Sequence, residues 1–232
     1  LLGLVLSGVT VRYPGAPTPA LDALSLAVAS GERVALIGEN GSGKSTTLAV
    51  WAGWLVPSAG QVSVFGVDPS VSPEDVTRRM GVVTAEASGF SPRLSVLENL
   101  RFFASLYGVS DLDRRLDRWR PLELVSLLAR PYQTLSAGQR ARVAMARALL
   151  HDPDVLLIDE ATRSLDPRFV DRVHALFVEF AGRGGAVVVV THDWAEAQRC
   201  DRVVLLQAGR VAADGPPAAI SDVVADAFTE RP

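Results

Sequence analysis

Hydrophobic positions along the chain follow two rhythms. The first third carries short apolar runs with partial alternation, the pattern of strands. Leu4–Tyr13 and Leu21–Val28 are the first two, separated by a turn at Pro14-Gly15-Ala16-Pro17. Gly31-Glu32 leads into Arg33–Ile37, a short strand of the buried type. Ser45–Leu55 reads as a helix, Pro57-Ser58-Ala59-Gly60 as a turn, and Gln61–Phe65 and Met80–Thr84 as strands. From about Ser91 to Leu150 the period becomes helical, with helices expected at Val96–Tyr107, Leu122–Ala129 and Ala137–Leu150, punctuated by Pro121 and Pro131. The last third alternates. Strand Val155–Ile158, helix Pro167–Ala181, strand Ala186–Thr191 and helix Trp194–Arg199 precede strands Arg202–Gln207 and Arg210–Ala213, and Ala218–Pro232 reads as a final helix. Near-continuous valine runs in such an alternation predict a parallel sheet covered on both faces. The expected architecture is one α/β domain over residues 1–232, with a helical insertion at about 87–150.

Composition narrows the classes. The 232 residues, 48% hydrophobic and 21% charged, can bury a sizeable core and are not those of a disordered chain. The longest strongly apolar stretch, Ala186–Val190, is far short of the roughly 18 residues of a membrane span. No signal-peptide pattern opens the chain, so a cytosolic location is expected. A net charge of −3 argues against a protein that holds nucleic acid by counterion release. Cys200, the one cysteine, allows no internal disulfide and reads as a small semi-buried hydrophobe. Arg114, Arg115, Arg118 and Arg120 read as a solvated helix face, and Trp51, Trp54 and Trp119 as packing residues. Only one of the 23 basic residues is a lysine, Lys44.

That lysine stands in Gly38-Glu39-Asn40-Gly41-Ser42-Gly43-Lys44-Ser45, which fits G-x-x-x-x-G-K-[ST] between a strand and a helix. Glycines let backbone N–H groups of such a loop, from Gly38 through Asn40, Gly41, Ser42 and Gly43, approach phosphates closely. The helix entered at Ser45 and Thr46 adds its positive end. The Lys44 ammonium reaches β- and γ-phosphates as a compact charge, a task for which arginine's planar fork is poorly shaped. The Ser45 hydroxyl can be offered to Mg²⁺. Val155–Ile158 ends in Asp159-Glu160, placing Asp159 at the sheet's carboxyl edge to hold Mg²⁺ and Glu160 to orient or deprotonate an attacking water.

Leu135-Ser136-Ala137-Gly138-Gln139 comes 23 residues before Asp159, counted from Ser136 (159 − 136), at a helix start that Ser136 caps. It resembles the signature motif of the ATP-binding cassette (ABC) ATPases, with Ala137 in place of the first glycine. Further motifs follow in order. Ser164-Leu165-Asp166 resembles the D-loop, and His192 the switch histidine. Tyr13 resembles the aromatic residue that stacks on adenine. In the family a glutamine follows the strand matching Met80–Thr84; this chain has none there, and either Glu86 supplies an oxygen ligand or Ala85 leaves the position empty.

The resemblance implies an α/β fold: a P-loop NTPase core with a mostly parallel sheet, an antiparallel β subdomain and a helical insertion subdomain. It implies ATP and Mg²⁺ as ligands, and a head-to-tail dimer, with itself or with a second ABC ATPase. Each ATP would meet Lys44, Ser45 and Asp159 of one subunit and Ser136, Gly138 and Gln139 of the other. His192 would touch the γ-phosphate, and Asp166 would lie across the interface. Separate transmembrane permease subunits would hold the chain at the inner face of the membrane. Pro92–Leu100, Arg101–Tyr107 and Ala161–Pro167 look like exporter-type sequences. Export is therefore the expected direction, with an importer subunit or a weakly hydrolysing switch as the alternatives.

Overall fold

A computed structural model describes residues 2–84, 88–163 and 165–229. The elements run β1 (Leu2–Val11), β2 (Leu21–Ala29), β3 (Arg33–Ile37), α1 (Lys44–Trp51), β4 (Ala59–Val64), α2 (Pro73–Arg79) and β5 (Met80–Thr84). The helical stretch follows, with α3 (Val96–Leu106), α4 (Leu112–Arg118) and α5 (Ala137–Leu149). The chain then returns through β6 (Val155–Asp159), α6 (Pro167–Gly182), β7 (Ala186–Val190), α7 (Trp194–Ala197), β8 (Arg202–Gln207), β9 (Arg210–Gly215) and α8 (Pro217–Thr229).

The larger sheet has the order β5-β6-β7-β3-β8-β9. Every pairing in it is parallel except that of β8 with β9. Its apolar strands divide residue by residue between two cores, as the period of two requires. Val34, Leu36, Leu157, Val188 and Leu206 face one core, which also holds α1 and the antiparallel sheet β2-β1-β4. Ala35, Ile37, Ile158, Val189 and Leu205 face the other, which holds α3, α5, α6 and α8. Burial on both faces explains why the valine runs lack polar alternation.

Two sequence expectations need correction, and one element was not expected. Leu122–Ala129 is not a helix: a 3₁₀ turn, Arg120–Leu122, ends at Glu123 in the left-handed conformation, and turns follow. The reason is a competing partner. Leu128 O and Arg130 O accept from Leu97 N and Val96 N, two amides that the start of α3 leaves unpaired, and Ser95 with Glu98 caps the rest of that turn. The helix of this region is α4, in the arginine run. The short α2 was also missed, although Ser72-Pro73-Glu74-Asp75 is a legible helix start. Trp194–Arg199 shortens to α7, ending at Ala197. Trp51 and Trp119 are buried as expected. Cys200 is buried too, and desolvation pushes its thiol pKa up to about 12, against the thiolate form.

Where β5 passes beneath α5, a Cβ on Gly81 would stand 2.3 Å from Ala148 O and 2.8 Å from the Leu156 side chain. Gly81→Ala should therefore cost about 1–3 kcal/mol of stability. A lower urea midpoint with unchanged slope is the expected reading; an unchanged midpoint would mean that the contact is not tight.

Candidate functional site

Parallel pairing brings the strand ends to one line. Thr84, Asp159, Val190, Leu36 and Val204 are successive register partners across β5, β6, β7, β3 and β8. The loops that leave this carboxyl edge build the site.

β3 must reverse direction to enter α1, and two glycines permit it. Gly38 has φ 148, and a Cβ there would meet Leu206 O at 2.3 Å. Gly43 has φ 107, and a Cβ would lie 2.7 Å from Ala20 O. Both positions demand glycine on conformation and space alike. Gly43 is also the N-cap of α1, so no side chain caps this helix. The first amide with a helical partner is that of Thr47, bonded to Gly43 O at 2.8 Å. The amides of Lys44, Ser45 and Thr46 thus present donors at the helix's positive end, suited to an anion.

The Lys44 ammonium is buried and donates to Gly38 O at 2.7 Å and Glu39 O at 2.8 Å. Desolvation lowers its pKa, against the attraction of Glu160, Asp159 and Glu39. Asp159 shows the complementary balance. Burial and the neighbouring Glu160 raise its pKa, while Lys44 and a hydrogen bond from Ser45 lower it. Glu160 holds φ 50, unusual for a residue with a side chain, and its amide is fixed to Val190 O at 3.0 Å. Its Oε1 lies 3.1 Å from His192 Nδ1, and its Oε2 lies 3.6 Å from Arg163 Nη1.

These residues border a cleft of about 780 Å³ whose walls include Tyr13, Asn40, Gly41, Gly43, Lys44, Ser45, Thr46, Asp159 and Glu160. Tyr13 lies just beyond β1, its hydroxyl 3.4 Å from Thr46 Oγ1. Gly38 and His192 flank an adjoining recess shared with Asn40 and Glu160. Ser42 is buried beneath the loop, and its carbonyl accepts from Gly209 N at 3.0 Å. Glu86 falls outside the described residues, as does Ser164. The signature residues do not reach this cleft. Ser136 caps α5 and exchanges bonds with Gln139 in a capping box, and α5 begins at Ala137, so the alanine is accommodated in helical backbone. Gly138 stands in the same first turn. Asp166 accepts from Phe169 N at 3.0 Å as the cap of α6.

Sequence reasoning missed two contributors. Trp54, read as packing, is 64% exposed and lines the cleft with Ala20. Gly209 supports the loop from the β8–β9 turn. The Ala208-Gly209 pair, both at positive φ, signals that hairpin turn, but nothing local says that Ser42 lies against it.

An uncapped helix start, a buried lysine and a serine–aspartate pair at a parallel sheet edge define a phosphate-loop nucleoside triphosphatase. A sequence profile of ABC transporters matches residues 21–163. The chain is 36% identical over 217 residues to a fluoroquinolones export ATP-binding protein of Mycobacterium tuberculosis, covering 90% of this chain and 69% of that protein. It is 40% identical over 222 residues to the hemin import ATP-binding protein of Nocardia farcinica, covering 92% of this chain and 77% of that one. The solved structure of an ATP-binding subunit of an ABC transporter superposes with a TM-score of 0.88 at 30% identity, over 98% of each chain. A dimeric ATP-binding cassette in a post-hydrolysis state, bound to ADP and Pi, gives 0.81 at 29% identity, over 92% of this chain and 98% of that one. The chain belongs to the ABC transporter family as an ATP-binding, ATP-hydrolysing subunit.

Lys44→Arg keeps the charge but cannot fold a planar guanidinium onto the carbonyls of Gly38 and Glu39 in the same way. Phosphate release should fall by about tenfold or more. Full activity in the variant would show that charge alone suffices.

Proposed function

We propose that the whole chain acts as one ATPase domain that closes on ATP against a second cassette and drives export through separate membrane subunits. The observation that carries this reading is the separation of two anion-binding helix starts. The amides of α1 open into the cleft, whereas Ser136, Gly138 and Gln139 at α5 stand outside it. A single chain does not bring both to one γ-phosphate, and a head-to-tail partner does. The partner is a second copy or a related ABC ATPase, and Asp166 lies at the junction.

Within the cleft, Tyr13 stacks on adenine and the loop amides from Gly38 to Thr46 hold the phosphates. The hydroxyl of Ser45 and the carboxylate of Asp159 are hard oxygen donors already joined by a hydrogen bond, a donor set that fits Mg²⁺. Mg²⁺ held there would neutralise developing phosphate charge. Glu160 takes the proton of water as it attacks the γ-phosphorus, and ADP leaves. His192 orients Glu160 through Nδ1 and brings its ring to the γ-phosphate. Hydrolysis removes the phosphate contacts that join the two cassettes, so they separate.

Among the described residues no helix is long and apolar enough to cross a membrane, which fits a subunit held at the inner membrane face by permease chains. Export rests on the sequences after β5 and on the fluoroquinolones export relative; the hemin import relative favours the opposite direction.

Glu160→Gln should reduce ATP turnover by about tenfold or more and trap a dimer with Mg-ATP, read by light scattering. Normal turnover would remove Glu160 as the base, and a monomer would remove the closed dimer. In vesicles carrying the co-purified membrane subunits with the ATPase outward, ATP should drive a fluorescent fluoroquinolone inward. ATP-driven release of enclosed hemin would instead establish import.

A further inference from the structure

A second polar cluster lies behind the Glu160–His192 pair, outside the nucleotide cleft. Thr162, Thr191, His174 and Glu196 are each more than nine-tenths buried. They come from four different segments. Thr162 is two residues past Glu160, and Thr191 immediately precedes His192; His174 is on α6 and Glu196 on α7. Glu196 gathers the other three. The Thr162 hydroxyl donates to its Oε1, Thr191 also hydrogen-bonds it, and His174 Nε2 stands 3.6 Å away, an ion-pair distance only if the ring is protonated. Burial pushes the Glu196 carboxyl upward, but the nearby His174 ring and the hydrogen bonds from Thr162 and Thr191 outweigh it and hold the pKa below the ordinary range. The Thr191 hydroxyl also accepts from Asp193 N at 3.0 Å, so it braces the chain on both sides of His192. A buried carboxylate is costly unless fully bonded, and this one ties together the two loops whose side chains must meet.

We infer that Glu196 is a positioning residue: acting through Thr162 and Thr191, it fixes the Glu160 carboxylate against the His192 ring. The inference rests on the roles proposed above for those two residues. Glu160 reaches its position through a left-handed backbone turn, which relaxes readily unless the residues after it are held. Thr162 is the first buried polar anchor after that turn. His174 completes the cluster from the middle of α6, so the cluster also joins that helix to both catalytic loops.

The test compares Thr162→Val, Thr162→Ser and Glu196→Gln in the intact chain, with Glu160→Gln alongside. Thr162→Val deletes the hydroxyl at nearly constant volume. It should lower kcat by about tenfold or more while KM for ATP stays within about twofold. Thr162→Ser should recover most of the loss, and Glu196→Gln should resemble Thr162→Val. Unchanged kcat in Thr162→Val, or a loss that serine does not recover, overturns the inference. If Glu196→Gln does not fold, the Thr162 pair decides alone. Slow Glu160→Gln beside normal Thr162→Val overturns only the brace, whereas normal Glu160→Gln overturns the base assignment and with it the object being positioned.

Discussion

Parallel strand pairing with both faces buried is the constraint on which the molecule depends. Such strands need helices above and below, so the chain must cross between them, and every strand of the parallel group ends at the same edge. The register partners Thr84, Asp159, Val190 and Leu36 mark that edge. The residues just beyond it are freed from the apolar requirement that governs the strands. Gly38, Glu160 and His192 occupy those positions. Loops at this edge carry chemistry because the sheet beneath them is too densely packed to shift.

Charge is distributed accordingly. Among the described residues most ion pairs are at least partly exposed, such as Arg120 with Asp117 or Arg183 with Glu179, and contribute little. The site instead holds one buried cation, Lys44, close to Asp159 and Glu160. Each group perturbs the others, and burial works against the charged form of both Lys44 and Asp159. Such opposed tendencies suit a site that receives a polyanion.

The helical stretch links this edge to the signature turn. α5 begins at the Ser136 cap and carries Arg147 near its other end. Arg147 sits 5.0 Å from the Phe90 ring centroid and 5.2 Å from that of Phe103, and donates to Ser88 O at 2.6 Å. Phe90 stacks on Tyr132, 4.5 Å between ring centroids. Ser88 and Phe90 are therefore fastened to the same helix that presents the signature residues. One packed body connects the strand edge to the start of α5.

Much of this was legible in the sequence because the determinants are local. The 2.0 period, the glycine-rich turn before Lys44 and the Ser-x-x-Gln cap at Ser136 are each set by a few adjacent residues. They identify a phosphate loop, a parallel sheet and the family resemblance without reference to distant contacts. Apart from α2, whose start is local, the main failures were places where a distant partner decided. Leu122–Ala129 has apolar spacing suited to a helix, yet Leu128 and Arg130 give their carbonyls to the start of α3. Trp54 looks like a core or interface packing residue until the fold leaves it on the cleft wall, and Gly209 looks like an ordinary hairpin turn until Ser42 lies against it. Thr162, Thr191, His174 and Glu196 carry no motif by which their convergence can be read. Sequence by itself determined which loops can hold phosphate, because backbone conformation and helix ends are local properties. Only the tertiary structure decided which side chains meet behind those loops, because a buried polar group finds its partner through packing rather than through spacing along the chain.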